Sequence, residues 1–504
     1  DGDGDGGRWQ AELSEIAATS GMRILGPNCM GSLTAHNGAI TTFASFFDIQ
    51  QPRPGGIAIA TQSGAVGGYT LVLALQRGLG VHSMVTTGNE SDLDVAELVD
   101  YLAGEPQVDV ICAYFEGCKK PHILHRALEK ARANRKPVIA LKVGASDIGA
   151  EAAGTHTAAL AGTDAVFDAV LRMHGAHRVH SLDGMLKAAS ACAAGKFPAG
   201  KRLGVVTLSG GGGVMAADAA VLNGLEVPPL PAAAQAKLKA LMPFAAVRNP
   251  VDTTAQVATR MDLLDENLRV MLDEGGCDAI LIFLAYVAIN PIVWGSMEGM
   301  LLDFRRRYPD ALVVLTGTYK PEDAQRLESA GFLVVSDLCD GVEMVAVLER
   351  IARRFEAPAW TPPRPPQPDA SLAGAEAFNE YTAARRLRRA GVPMLETMVA
   401  GSADEAAGHA ARYDGPVVLK LLSADVAHKS DIGAVRLGVQ GEEAVRRAFD
   451  DIMVAVARAA PGARIDGALV APMISGGVEV ILGVISDNVF GPAVMVGLGG
   501  VFTE

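Results

Sequence analysis

Cysteine, positive charge, aromatic residues and unbroken apolar runs are all scarce in this chain. Its six cysteines, Cys29, Cys112, Cys118, Cys192, Cys277 and Cys339, are scattered, with no CxxC pair and no zinc spacing. That speaks against a disulfide framework or a zinc module and leads us to expect free thiols in a reducing cytoplasm. Lys and Arg number 44 against 57 Asp and Glu, a net −13, which argues against general nucleic-acid binding. Anionic ligands remain open, because backbone N–H groups at helix starts hold phosphate without a basic surface. Few aromatics beside abundant Gly and Ala suit parallel α/β layers with tight strand-to-helix turns. The uncharged run Ala279–Met297 is interrupted by Asn290-Pro291, and its first half, AILIFLAYVA, reads as a buried strand rather than a membrane span. No signal peptide is read at the start.

A length of 504 residues exceeds one core and implies three or four domains. DGDGDGG at the start reads as a frayed acidic end rather than a metal site, and VMVGLGGVFTE stops just after an apolar strand and a glycine turn. The chain is therefore expected to be a fragment. From Gly55 to about Arg178, strand and helix patterns alternate: strands at Gly56–Ala60, His82–Thr87, Val108–Phe115 and Pro137–Val143, helices at Leu71–Leu75, Asp94–Leu102 and His122–Ala133. This spacing predicts βαβ units and a parallel sheet whose ligands gather at the strands' carboxyl ends. Ser63, Asn89, Glu116 and Gly144 all follow strand ends and should share one rim. A second α/β unit is read over about Lys201–Ala357, with strands at Leu203–Ser209, Ala279–Ala288, Ala311–Gly317 and Phe332–Val335, and no convincing repeat of the first. A proline-rich linker, Pro358–Ser371, precedes a final segment with a helix at Asn379–Ala390 and a strand in PVVLK.

His156 lies among small residues in AAGTHTAALAGTD. A lone histidine is usually structural or exposed, but small neighbours let a loop present the ring. Imidazole with a pKa near ~6.5 is mostly neutral at physiological pH and accepts and returns a phosphoryl group. Glu116, at a strand end, is the candidate carboxylate to orient that ring, against the plainer reading of a helix cap. TQSGAVGG offers Gln62, Ser63 and Gly64, and LSGGGGV offers Gly211, Gly212 and Gly213, as phosphate-binding helix starts. For either turn alone, tight strand–helix packing is an equal reading.

GPNCMG (Gly26–Gly31), TQSGAVG (Thr61–Gly67), FEG, AGTHTAALAG, SGGGGVMAADAA, NPVDTT (Asn249–Thr254) and PVVLK…HKSDIGAV occur in the order seen in one family. On these motifs the chain resembles the ADP-forming acetyl-CoA synthetases, which are related to succinyl-CoA synthetase. The resemblance covers nearly the whole chain. It implies a multi-domain α/β fold: residues 1–31 as the remnant of a CoA-binding Rossmann domain, 32–198 and 199–357 as two succinyl-CoA-ligase-like flavodoxin/Rossmann-like domains, 358–371 as linker, and 372–504 as an ATP-grasp domain cut short.

The same resemblance implies roles. His156 would be phosphorylated, Glu116 would support it, and His428 would relay phosphate toward the nucleotide. Lys420 and Lys429 would contact nucleotide, and Asn28 and Cys29 would lie near CoA, with an inert buried thiol as the alternative for Cys29. Glu479, read as internal to a strand, would be structural or ribose-contacting. The Mg²⁺ ligands are expected beyond residue 504. The family form SHTG stands here as THTA, so Thr155 keeps a hydroxyl while Ala158 adds a methyl. The implied reaction converts acid, ATP and CoA to acyl-CoA, ADP and phosphate in a cytoplasmic enzyme that needs no nucleic acid or membrane and is open to homo-oligomerisation. The acid is not readable: acetate, another short-chain acid, or an aryl acid such as ferulate all fit. A CoA- or nucleotide-sensing relative without turnover, an acetyltransferase-fused regulatory relative, and a succinate or citrate ligase are the alternatives.

Overall fold

The computed structural model describes residues 5–45, 51–146, 148–149, 151, 163–254, 260–361, 379–426 and 428–499. They divide into two compact units, residues 5–361 with 483–495 and residues 379–482 with 496–499.

The first unit contains two sheets built on one plan. In the first, β1 (Gly31–Thr34), β2 (Ala39–Thr42), β3 (Pro54–Thr61), β4 (Val81–Thr86), β5 (Val110–Phe115), β6 (Val138–Lys142) and β7 (His177–Val179) lie in the order β2-β1-β4-β3-β5-β6-β7. The stretch from β4 to β7 is parallel, while β1 and β2 add an antiparallel edge that the sequence pattern did not announce. In the second, β8 (Leu203–Thr207), β9 (Val251–Asp252), β10 (Ala279–Ala285), β11 (Leu312–Gly317) and β12 (Leu333–Val335) are all parallel, in the order β12-β11-β10-β8-β9. Numbered along the chain within each parallel set, both follow the doubly wound order 2-1-3-4-5.

Alternating side chains tie the sheets together. Ile57, Ile59, Val110, Cys112, Ile139 and Leu141 point into a core shared with Leu203, Val205, Leu281 and Val314 of the second sheet. The helices Leu182–Ala193, Gly210–Leu222 and Leu338–Phe355 supply Leu186, Ala216, Val345 and Leu348 to that core. The intervening residues Ala58, Ala60, Ile111 and Ala113 face a separate core under helices Val95–Gly104 and Pro121–Ala133. This two-residue period is that of strands buried on both faces. The second sheet behaves likewise, with Val206, Ile280 and Ile282 in a core of their own.

Two readings of local structure change. Asp5–Ser20 is a helix, so residues 5–7 of the acidic start form its first turn instead of a frayed end; Asp5 favours that position beside the positive end of the helix dipole. The uncharged run at Ala279–Met297 is β10, a short 3₁₀ turn and the start of helix Pro291–Arg307, with Asn290 as the N-cap. Among the described residues no helix is long and apolar enough to cross a membrane.

In the second unit, β13 (Met398–Ala400), β14 (Val417–Leu422), β15 (Val435–Val439) and β16 (Gly467–Pro472) form an antiparallel sheet in the order β13-β16-β14-β15. Leu419, Leu421, Ala468 and Val470 pack against helices Ala403–Ala410 and Glu442–Ala459. A separate hairpin of β17 (Val480–Asp487) and β18 (Gly491–Leu498) has its residues 483–495 in the first unit. Most of the proline-rich linker lies outside the described residues.

Candidate active site

In a 2-1-3-4-5 sheet the crevice opens between the first and third strands, where the winding reverses. Here those strands are β3 and β5, and Ser63 and Glu116 follow their carboxyl ends. Ser63 caps the helix Gly64–Gln76, its hydroxyl accepting from Val66 N at 3.4 Å. The turn itself is closed by Thr61, whose Oγ1 accepts from Ser63 N at 3.1 Å and donates to Ser63 O at 3.0 Å. A Cβ at Gly64 would lie 2.8 Å from Met30 Cγ, so glycine here lets the 26–31 segment lie on the helix start.

That segment also grips the end of β4. Met30 N donates to Thr86 Oγ1 at 2.8 Å, Asn89 N to Pro27 O at 2.9 Å, and Asn28 Nδ2 to Asn89 Oδ1 at 3.1 Å. Asn28 and Cys29 are thus held beside the rim, and Ser63, Asn89, Glu116 and Gly144 each follow a strand end as expected.

Glu116 is 8% exposed. Its backbone N–H donates to the Gln62 side-chain oxygen, as does Gly117 N at 3.0 Å. Gln62 Nε2 donates to Glu90 Oε2 at 2.8 Å. The Gln62 side chain, expected to bind phosphate, is therefore turned inward and engaged on both ends. Burial drives the Glu90 carboxyl up to about 7 against the pull of its hydrogen bonds from Gln62, Val95 and Thr87.

Lys142, the last residue of β6, is 4% exposed and sits opposite Phe115 in the ladder. Its ammonium lies 5.6 Å from the Phe167 ring centre, and burial lowers its pKa while the charge of Glu116 opposes that fall. Neither Glu90 nor Lys142 was singled out from sequence. For Lys142 a signal existed: a lysine closing the apolar strand VIALK at the ligand rim, the pattern also present in PVVLK. The chain leaves β6 at Val143, whose N–H donates to Phe115 O at 3.0 Å, one residue before Glu116. His156, with Thr155 and Ala158, lies outside the described residues.

The second glycine turn repeats the threonine bonds of the first but not its serine cap, since Ser209 makes no side-chain bond to its helix. Thr207 Oγ1 accepts from Ser209 N at 3.0 Å and donates to Ser209 O at 2.7 Å. Thr253 N donates to Thr207 O at 2.9 Å, as Thr87 N does to Thr61 O at 2.8 Å; the Thr253 hydroxyl also donates to Thr207 O at 3.0 Å, whereas the Thr87 hydroxyl, 3.3 Å from Thr61 O, gives its one hydrogen to Glu90 Oε1 at 2.9 Å. The two α/β units are thus structural repeats, a kinship too short in sequence to detect. The glycines of the second turn differ in role. A Cβ at Gly212 would meet the Phe283 ring at 2.5 Å, and one at Gly213 would meet Pro250 at 3.2 Å, so both permit close helix packing. Gly211 is exposed, with only Ser209 Oγ nearby at 3.9 Å. The two turns stand on separate sheets.

In the second unit, Val418, Lys420, Leu469 and Ala471 line a cavity of about 740 Å³ between helix Glu380–Arg389 and the sheet face opposite helices Ala403–Ala410 and Glu442–Ala459. Lys420 Nζ lies 2.8 Å from Glu380 Oε2, and Lys429 Nζ lies 3.9 Å from the same oxygen. Met394, Leu395, Leu437 and Met473 give the cavity apolar walls. Glu479 also lines it and immediately precedes β17, a correction to its reading as internal to a strand. His428 is exposed in the connection from β14 to β15. Among the described residues no three His, Cys, Asp or Glu side chains group to hold a metal ion.

Family models match three stretches: a succinyl-CoA ligase like flavodoxin domain over residues 54–192, a ligase-CoA domain over 203–322 and an ATP-grasp domain over 369–504. The acetate–CoA ligase [ADP-forming] I of Archaeoglobus fulgidus is 31% identical over 515 residues, covering 99% of this chain and 72% of the relative. A trans-feruloyl-CoA synthase from an unknown prokaryotic organism is 30% identical over 520 residues, covering 99% and 71%. Among solved structures, the Ca. Korarchaeum cryptofilum dinucleotide forming acetyl-coenzyme A synthetase 1 in complex with phosphate and ADP superposes with a TM-score of 0.62 at 26% identity, over 69% of this chain and 74% of that one.

Proposed function

The chain belongs to the ADP-forming acyl-CoA synthetases, an acid–thiol ligase family that converts acid, ATP and CoA to acyl-CoA, ADP and phosphate, and on that premise we propose how its residues divide the reaction. In the direction of ATP synthesis, phosphate attacks the thioester carbonyl and CoA leaves as the thiol, giving an acyl phosphate. A ring nitrogen of His156 takes the phosphoryl group and the acid departs. His428 takes the phosphoryl group from His156 and passes it to ADP, giving ATP. Dividing the reaction lets each transfer use its own positioned groups.

Glu116 orients the His156 ring and steadies its charge during transfer. Phosphate rests on the helix start at Ser63 and Gly64, where the first N–H groups and the helix dipole favour an anion. Gly211 offers a second such start, although Asp252, 3.3 Å from where a Gly210 Cβ would sit, lowers its attraction for anions. Asn28 and Cys29 border the CoA thiol end. Lys420 and Lys429 hold nucleotide phosphates over the apolar cavity, and His428 serves as the relay. Mg²⁺ bound with the nucleotide would offset its phosphate charge beside Lys420 and Lys429. The acid is acetate, another short-chain acid, or an aryl acid such as ferulate, a range that the A. fulgidus and feruloyl-CoA relatives span between them. A cytoplasmic setting fits six cysteines that are all unpaired.

The observation that carries this reading is the placement of Glu116 at the switch point, beside the strand from which the chain departs toward residue 156. Incubation with ATP or acetyl phosphate should leave acid-labile phosphate on the protein, and His156→Ala should abolish both label and turnover. Release of AMP instead of ADP, or full turnover in His156→Ala, would overturn it.

A further inference from the structure

The two α/β halves provide an internal control. Both use the turn Thr-x-Ser-Gly with the same threonine bonds, but Gln62 in the first is Leu208 in the second. The turn therefore closes without a glutamine, and Gln62 with its partner is an addition peculiar to the half that carries Glu116. Gln62 joins three elements: its oxygen receives Glu116 N and Gly117 N after β5, and its nitrogen reaches Glu90 after β4. Glu90 is in turn held by Thr87 Oγ1 at 2.9 Å and by Val95 N, the first residue of helix Val95–Gly104, at 3.0 Å. The residue is 5% exposed. A buried carboxyl beside a helix N-terminus, with three donors aimed at it, is a fixed anchor and not a surface acid.

We infer that Gln62 and Glu90 are a positioning pair for Glu116, fixing its backbone so that its carboxylate meets the phosphorylated histidine in one geometry. The inference rests on the role of Glu116 proposed above. Neither residue touches the reacting atoms. The pair acts through the peptide N–H groups of Glu116 and Gly117. Ionised Glu90 makes a charge-assisted bond to Gln62. Protonated on Oε1, it donates a hydrogen bond to Thr87 Oγ1, whose own hydrogen then turns to Thr61 O, and Oε2 is left as a weaker neutral acceptor. With its carboxyl raised to about 7 by burial, Glu90 makes this exchange near neutral pH. The charged or titratable groups around it are Asp94, which raises it further, Cys118, and Lys119, whose ammonium bonds the Asn89 and Glu90 carbonyls.

The test uses Gln62→Leu, which copies the second half, and Glu90→Gln, which copies the protonated state. Gln62→Leu should lower kcat on the order of 10- to 100-fold, as expected for a slightly misplaced catalytic group, with KM values for ADP and phosphate nearly unchanged and a lower Tm, because Glu116 N, Gly117 N and Glu90 lose their buried partner. Glu90→Gln should hold kcat at the low-pH level of the wild type, about 3- to 10-fold below its alkaline level. His156 titrates in the same range. The readout is therefore the ratio of wild-type to Glu90→Gln rates from about pH 5.5 to about pH 8.5, which should rise with pH. The rise should persist in an Asp94→Asn background. Wild-type kcat in Gln62→Leu, or a ratio flat with pH, would sink the inference; if Gln62→Leu does not fold, the ratio alone decides. Glu116→Gln separates the two claims: if it turns over normally, the role of Glu116 itself fails, whereas if it is dead while Gln62→Leu is active, only the positioning pair fails.

Discussion

Lys420 Nζ and Glu380 Oε2 lie 2.8 Å apart across the mouth of an apolar-walled cavity. Both side chains are more than a third exposed, so the pair adds little to folding. Its consequence is for ligands: an incoming nucleotide phosphate competes with Glu380 for the ammonium. Lys420→Ala is expected to raise the Kd for ADP by about 10-fold or more, the loss of one charge-assisted contact. Glu380→Gln should instead tighten ADP binding a few-fold, an effect fading with added salt. Titration calorimetry at two ionic strengths checks both signs.

The glycines of the second turn separate packing from binding. Gly212→Ala drives a methyl into Phe283 and Thr207 Oγ1, at 2.5 and 3.0 Å, and should destabilise the protein by about 1–3 kcal/mol in denaturant melts. Gly211→Ala meets nothing closer than 3.9 Å and should leave stability unchanged or raise it by up to about 1 kcal/mol. A rise in the KM for phosphate in Gly211→Ala would therefore report on the anion site. Unaltered phosphate kinetics would remove this turn from the phosphate path.

At the first turn, Gly64→Ala sets a methyl 2.8 Å from Met30 Cγ and 3.2 Å from Met30 N. The methionine side chain can turn aside only in part, and the peptide cannot. The 26–31 segment should lift from the helix start, with an increased KM for CoA and a stability loss of about 1–3 kcal/mol. Met30→Ala in the same chain should restore part of the stability but not the CoA affinity.

Glu90 also makes a stability prediction with a definite sign. Its carboxyl moves from 4.5 unfolded to about 7 folded, so below about pH 4.5 both states are protonated and nothing is lost. Between those values the unfolded state releases its proton first, and stability falls as pH rises, by an upper bound of about 3 kcal/mol once the folded group ionises. Glu90→Gln should thus raise the Tm at pH 8 relative to the wild type and change it less at pH 5. An equal shift at both pH values would contradict the burial of an ionised group. A variant that is more stable yet slower is what a strained functional anchor predicts.

The amino-acid order alone determined which segments become strands and helices of the parallel layers, because a strand buried on both faces must be a short apolar run and glycine must follow where a helix turns back over it. β3, β4, β5, β6, β8, β10 and β11 all appear within a few residues of their expected places. It also placed Ser63 and Glu116 on one rim, since parallel strands carry their ends to the same edge. The antiparallel edge of β1 and β2 and the helix Asp5–Ser20 were not legible, being short or weakly patterned elements held by their neighbours. Only the tertiary structure decided that two sheets share one core, that the Thr-x-Ser-Gly turn occurs twice, and that Gln62 faces Glu90 instead of a ligand. Those facts depend on residues tens of positions apart meeting in space, and a hydrogen bond between distant side chains leaves no period, spacing or composition for a linear reading to find.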